Sequence, residues 1–306
     1  MGSLRKQFAE TVTSLGKRDE DIVVVVGDIS HGIFSEFRKV AADRYFNIGI
    51  CEPAMVSICA GLNKSGHNPV IHTIAPFLIE RSFEQIKLDF EYQGLSGNFV
   101  SVGGTFDYSQ LGCSHHSYLD VALMRSLPSA KIFMPGSDKE FDYFFRNYYR
   151  EPGIKYFRLT ENSHNFNELD LSESGNLIKQ GNDLTIVTCG ASLQSCFEAS
   201  LKAEAKGISI DLIYLSKIWP IDGYYIQKSC QKTKKLLVVS ELSHVGGMGQ
   251  IVRESVNGVL LKNFKSLEVN GFIRNYGTYI DLRQDACIAE NNILKEIENM
   301  TIGHLK

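Results

Sequence analysis

The run Ile22-Val23-Val24-Val25-Val26, followed by Gly27-Asp28, is apolar at every position and almost entirely β-branched. A strand with no polar face must be covered on both sides, so it belongs to a parallel-type sheet between helical layers, with a loop at its carboxyl end. The rest of the chain repeats that logic. Leu4, Phe8, Val12 and Leu15 share one face of an opening helix over residues 3–17. Strand periods at 69–74, 98–103, 131–135 and 153–159 then alternate with helical periods opening at Glu52, spanning 77–93 and 117–127, and starting at Asp138. This predicts an open, mostly parallel α/β sheet, whose sites form at the carboxyl ends of strands.

Between residues 160 and 183 the pattern lapses into Glu-Asn-Ser-His-Asn-Phe-Asn-Glu and Ser-Glu-Ser-Gly, polar and turn-rich. Alternation resumes with strands at 184–188, 208–214 and 236–240 and helices at 192–206 and 247–257. The expectation is two open α/β domains: residues 1–165, a linker over 166–183, and a smaller domain over 184–306.

Composition removes several function classes. A formal net charge of −3, with no basic run beyond the short 232–235 stretch, argues against a nucleic-acid surface. The amino-terminal residues hold no apolar run of signal-peptide length and nothing later reaches transmembrane length, so a cytoplasmic protein with no membrane role is expected. Seven cysteines without Cys-x-x-Cys spacing read as reduced thiols rather than a disulfide frame or a zinc site. Cys51 and Cys113 are read as small packing residues.

One carboxylate stands at a conspicuous place. The strand-like run over 45–50 ends in Cys51-Glu52-Pro53, and Met55, Ile58, Cys59 and Leu62 then recur at helical spacing. Proline is tolerated at the first position of a helix, so Glu52 sits at a strand-to-helix junction. Taken alone it is a helix-start carboxylate favoured by the helix dipole.

Its neighbours change that reading. Gly49-Ile50-Cys51-Glu52-Pro53-Ala54-Met55 is followed in order by Ala60-Gly61-Leu62, Gly66-His67-Asn68-Pro69-Val70, Phe83-Glu84-Gln85-Ile86, Leu111-Gly112-Cys113-Ser114-His115-His116 and Met134-Pro135-Gly136-Ser137-Asp138. The second half carries Thr188-Cys189-Gly190, Lys217-Ile218-Trp219-Pro220-Ile221-Asp222 and Glu241-Leu242-Ser243-His244-Val245-Gly246-Gly247-Met248-Gly249. Together these resemble the pyrimidine-binding and C-terminal domains of thiamine-diphosphate enzymes of the transketolase kind, over nearly the whole chain.

The resemblance implies a role for each candidate. Glu52 would hydrogen-bond the cofactor's pyrimidine N1′ in a water-poor site, promoting the 4′-imino form that removes the weakly acidic thiazolium proton. Phe77 would stack on the pyrimidine, with Ile50 beside it. His115 would face the substrate's hydroxyl groups, His116 and His72 are further substrate-side candidates, and Arg158 would clamp a sugar phosphate. Arg81 and Phe83 would pack and pair at a subunit interface. Where transketolases read Asp-Gly-Pro-Thr-His, this chain reads Leu-Gly-Cys-Ser-His, which leaves the donor sugar open.

The sequence contains no Gly-Asp-Gly, the usual mark of the domain that grips the diphosphate through a metal ion. The resemblance therefore implies the C-terminal-type subunit of a split transketolase. A separate N-terminal-type subunit would hold the diphosphate and most of the contacts to Mg²⁺ or Ca²⁺, in an α2β2 heterotetramer with self-association of this chain. The expected reaction moves a two-carbon ketol unit between sugars or sugar phosphates. The alternatives are the β subunit of a 2-oxoacid dehydrogenase, a deoxyxylulose-phosphate-synthase-like enzyme, and a non-catalytic assembly subunit.

Overall fold

The computed structural model describes residues 3–166, 168–173 and 175–301. Residues 1–2, 167, 174 and 302–306, which the expected domain and linker limits include, lie outside the described residues.

Twelve strands among the described residues form two sheets. In chain order they are β1 (Ile22–Val26), β2 (Tyr45–Asn47), β3 (Asn68–Ile74), β4 (Gly97–Val102), β5 (Lys131–Phe133), β6 (Ile154–Arg158), β7 (Asn176–Lys179), β8 (Leu184–Cys189), β9 (Ile210–Leu215), β10 (Lys217–Trp219), β11 (Lys235–Ser243) and β12 (Asn263–Val269). The first sheet has the order β10-β5-β6-β4-β3-β1-β2 and is parallel except at β10; the second has the order β12-β11-β8-β9-β7 and is parallel except at β7. All five residues of β1 are buried, as an apolar strand in a parallel sheet must be. Leu4, Phe8 and Val12 of the opening helix Leu4–Gly16 cover one face of the sheet, and Met55, Val56 and Cys59 of the helix Glu52–Lys64 belong to the core on the other.

Three local expectations differ from the structure. The helix expected over 77–93 is instead two π-helical turns, Pro76–Glu80 and Ile86–Glu91, around a short α-turn, Phe83–Gln85. Arg81 N–H donates to the Pro76 carbonyl at 3.0 Å, and the buried Ser82 hydroxyl donates to the Phe77 carbonyl at 3.1 Å. These i to i−5 bonds widen the turn that carries Phe77 and Arg81, a distortion frequent at functional sites. The helix expected over 117–127 is confined to Asp120–Arg125, because Ser117 is held extended in a bridge to Thr105.

The third difference concerns the linker. Its residues include β7, antiparallel to β9, and just upstream His164 is buried against Glu140 Oε1 at 3.0 Å. Glu140 Oε2 accepts from the Tyr214 hydroxyl at 2.7 Å, and Gly136 is small because a Cβ there would lie 2.4 Å from His164. Desolvation opposes ionisation of Glu140, but His164, Tyr214 and Ser137 outweigh it and leave the carboxyl below its ordinary value. The two halves also share one apolar core, running from Met55 and Ile71 through Met134 and Ile218 to Val187 and Leu242.

Candidate functional site

The carboxyl ends of β1, β3, β4 and β6 lie side by side, and the loops that follow them supply the polar groups of the site. After β2 the chain turns at Gly49, whose φ of +74° lies in the left-handed region open to glycine. Cys51 caps the next helix without a side-chain bond, and Glu52 with Pro53 begins it. The Glu52 side chain is only 2% exposed, and its Oε2 accepts from Arg81 Nη1 at 2.8 Å. Oε1 makes no hydrogen bond among the described residues.

Arg81 also lies over the Phe77 ring, 4.1 Å from its centroid. It also pairs inside the chain with Glu52, and, four residues on from Phe77, it lies on the same side of the helical turn. Phe77 also meets His115 edge-on at 5.1 Å, and Tyr108 stands edge-on to the same imidazole at 6.3 Å. Burial first, then the Arg81 charge, lowers the His115 pKa from its ordinary value, so the ring is neutral at neutral pH and can both donate and accept. Its Nδ1 lies 3.0 Å from Ser114 Oγ. Glu52, Arg81, Phe77, His115 and Tyr108 thus form one continuous series of contacts.

The other candidates stand elsewhere. Ile50 is at the surface, 70% exposed. His116 is buried edge-on against Phe106 at 5.3 Å, and neither of its ring nitrogens has a well-formed hydrogen bond.

His72 is fully buried within β3, which corrects its reading as a substrate residue. Its Nδ1 lies 2.7 Å from the Val100 carbonyl, an acceptor only, so the proton sits on Nδ1, and Nε2 accepts from the Ser30 hydroxyl at 2.6 Å. Burial pushes its pKa down to about 3, against the opposing Val100 bond.

Arg158 is also corrected. Its side chain has no exposure, Nε donates to Asp120 Oδ2 at 2.7 Å, and Nη2 donates to Thr105 Oγ1 and the Ser117 carbonyl, each at 2.7 Å. Asp120 Oδ2 also accepts from the Tyr156 hydroxyl at 2.6 Å. Arg158 is an internal brace between β6 and the His115 loop; its Nη1 has no partner among the described residues, but the whole side chain is closed off from solvent.

The site has polar residues that sequence reasoning passed over. Arg5 donates through Nε to Ser30 Oγ at 2.8 Å, and its two Nη groups make no hydrogen bond among the described residues. Its charge reaches both His72 and Tyr108. Ser30 is held at a φ of +62° in the loop after β1. The available signal was positional, a polar, glycine-bearing loop at the end of a fully buried strand. Asp107, beside Tyr108, accepts from Glu161 N–H at 2.9 Å and Asn162 Nδ2 at 3.1 Å, and burial raises it to about 7.

Residues 2–165 match the model of the transketolase pyrimidine-binding domain, and residues 173–284 match that of the transketolase C-terminal domain. The chain belongs to the transketolase family, in which thiamine diphosphate is the working cofactor. It is similar to a subunit of the apulose-4-phosphate transketolase of Phocaeicola vulgatus, 31% identical over 265 residues that cover 84% of each chain. It is also similar to the 1-deoxy-D-xylulose-5-phosphate synthase of Halothermothrix orenii, 27% identical over 84% of this chain but only 41% of that one. Among solved structures, a split-gene transketolase described as an inactive beta4 tetramer superposes with a TM-score of 0.85 at 25% identity, covering 97% of both chains. The chain thus carries the pyrimidine-binding and C-terminal domains of the family.

Proposed function

We propose that this chain supplies the pyrimidine-side half of a thiamine-diphosphate site that transfers a two-carbon ketol unit between sugars or sugar phosphates, the diphosphate half residing on a separate subunit. The observation that carries the reading is Glu52: a carboxylate 2% exposed at a helix start, one oxygen anchored by Arg81, the other without a partner, and a half-buried Phe77 alongside. An aminopyrimidine needs a hydrogen-bond partner for one ring nitrogen and an apolar face to lie on, and these residues fit it.

When bound, thiamine diphosphate supplies the nucleophilic carbon and the electron sink of the transfer. Glu52 holds the pyrimidine nitrogen. Phe77 offers its half-buried ring, and neutral His115 exchanges hydrogen bonds with the sugar hydroxyls. Arg5 takes the place expected of Arg158: with Nε on Ser30, its free Nη groups face an anionic substituent such as a sugar phosphate. The substrate named for the Phocaeicola relative carries such a group.

The separate subunit holds the diphosphate with Mg²⁺ or Ca²⁺, consistent with a sequence that contains no Gly-Asp-Gly. The working assembly is an α2β2 heterotetramer, built around self-association of this chain, in the cytoplasm; the beta4 form of the solved split-gene relative supports the self-association. Reconstitution tests the reading. The chain with its diphosphate-binding partner, thiamine diphosphate and Mg²⁺ transfers ketol units, the isolated chain does not, and Glu52→Gln abolishes turnover while the assembly still forms. Turnover by the isolated chain, or by the Glu52→Gln complex at wild-type rate, refutes it.

A further inference from the structure

The loop that presents His115 is held from behind by the second half of the chain. Thr105 and Ser117 exchange backbone bonds at 2.7 and 3.1 Å, although Thr105 sits at a φ of +50°, a conformation a β-branched residue rarely adopts. Such a residue persists only where its surroundings fix it. Thr105 Oγ1 accepts from Arg158 Nη2 and donates to the Glu241 main-chain carbonyl at 2.9 Å, while the same Arg158 nitrogen binds the Ser117 carbonyl.

Glu241 is itself fixed. Its carboxylate accepts from the Tyr279 hydroxyl and pairs with Arg283 Nε at 3.2 Å, all on the second domain. The contacts continue along the loop. Ser243 N–H donates to the Tyr118 carbonyl at 2.8 Å, Tyr276 lies so close to Gly112 that a Cβ there would be 2.9 Å from the ring, and Gly246 packs on Ala122 just as tightly. Residues 112–122 are therefore clasped at both ends and in the middle.

We propose that the second domain positions the substrate-facing imidazole: Glu241, fixed by Tyr279 and Arg283, sets the placement of His115 through the Thr105–Ser117 bridge. This rests on the reading of His115 as a substrate contact. Glu241, Tyr279 and Thr105 are positioning residues, because none of them touches the His115 ring.

The test uses Thr105→Val, which keeps the β-branch and loses the hydroxyl, and Thr105→Ser, which keeps the hydroxyl. The polar and titratable groups facing the His115 ring are Arg81, Tyr108, Ser114 and His116. Its ring-proton NMR titration, assigned with His115→Gln, reports its burial whether or not the complex turns over. In Thr105→Val the His115 titration rises toward the ordinary histidine value as the loop loosens and water enters, and kcat/KM of the reconstituted complex falls on the order of 10- to 100-fold. Thr105→Ser leaves both within about twofold or a tenth of a pH unit. If Thr105→Val does not fold, Tyr279→Phe gives the same shift at smaller amplitude. An unmoved His115 titration in a folded Thr105→Val, or in Tyr279→Phe when that replaces it, overturns the proposal. A wild-type complex without ketol transfer overturns the functional reading alone, since the titration still judges the placement.

Discussion

The buried pair Arg158–Asp120 gives the sharpest prediction, because it separates an internal brace from a phosphate clamp. Both side chains have no exposure, and Asp120 Oδ2 receives Arg158 Nε and the Tyr156 hydroxyl within 2.7 Å. Asp120→Asn keeps the shape but leaves the guanidinium buried without a counter-charge. Breaking a buried pair from one side costs about 3–5 kcal/mol. Against a total stability of about 5–15 kcal/mol this is a large fraction. With an unfolding entropy of about 2.1 cal/mol/K per residue over 306 residues, the thermal midpoint should drop by roughly 5–8 °C, read by calorimetry on the isolated chain. Replacing both charges by apolar groups of similar volume, as in Arg158→Met with Asp120→Leu, removes the uncompensated charge and should recover most of the loss, a non-additivity expected of contacting residues. A clamp behaves otherwise: Arg158→Met would leave the melting midpoint in place and raise KM for phosphorylated substrates only. That second pattern refutes the internal brace.

Two further predictions follow from the same loops. Arg5→Gln, in the reconstituted complex, should raise KM for a phosphorylated substrate on the order of tenfold or more while changing that for an unphosphorylated sugar about twofold or less, since a charged hydrogen bond contributes about 1.5–3 kcal/mol; equal changes for both would place the anion elsewhere. His72, held neutral to about pH 3, binds its proton only in the unfolded chain below the ordinary value of 6.5. Stability is therefore unaffected by His72 above pH 6.5 and falls by about 1.4 kcal/mol per pH unit as pH drops from there toward 3. His72→Gln should flatten the urea-derived stability profile over pH 6 to 4 by that slope; an unchanged slope would show that His72 is protonated in the fold.

The architecture was legible because it rests on short-range periodicity. An all-apolar β1 has one environment open to it, and the Cys51-Glu52-Pro53 junction encodes its own strand-to-helix turn. The site was legible in part, and what was hidden depends on partners distant in sequence. An arginine at the end of β6 reads the same whether it faces a phosphate or an aspartate 38 positions away. His72 sits on a buried strand end that could face either way, and only the closeness of Val100 and Ser30 decides it. The Arg81–Glu52 pair spans 29 positions. The π-helical turns leave the apolar pattern almost unchanged, since their cause is a slipped backbone bond and the Ser82 hydroxyl rather than a break in periodicity. Arg5 was missed because a helix with a clear apolar face draws no attention to the one residue that leaves it for a loop.

β10 carries a consequence for how such chains can be recombined. It follows β9 of the second sheet after a single residue, yet pairs with β5, covering an edge that would otherwise present open backbone groups to other chains. The polar stretch over 166–183 looks like a natural place to exchange one half for that of a relative. A crossover there joins β5 to a foreign edge strand whose side chains were never matched to Phe133 and Ile132. Chimeras that carry the native 217–219 segment with the first half should stay monodisperse where simpler swaps associate through the bared edge. For this chain the inheritable module is larger than either of its two sheets.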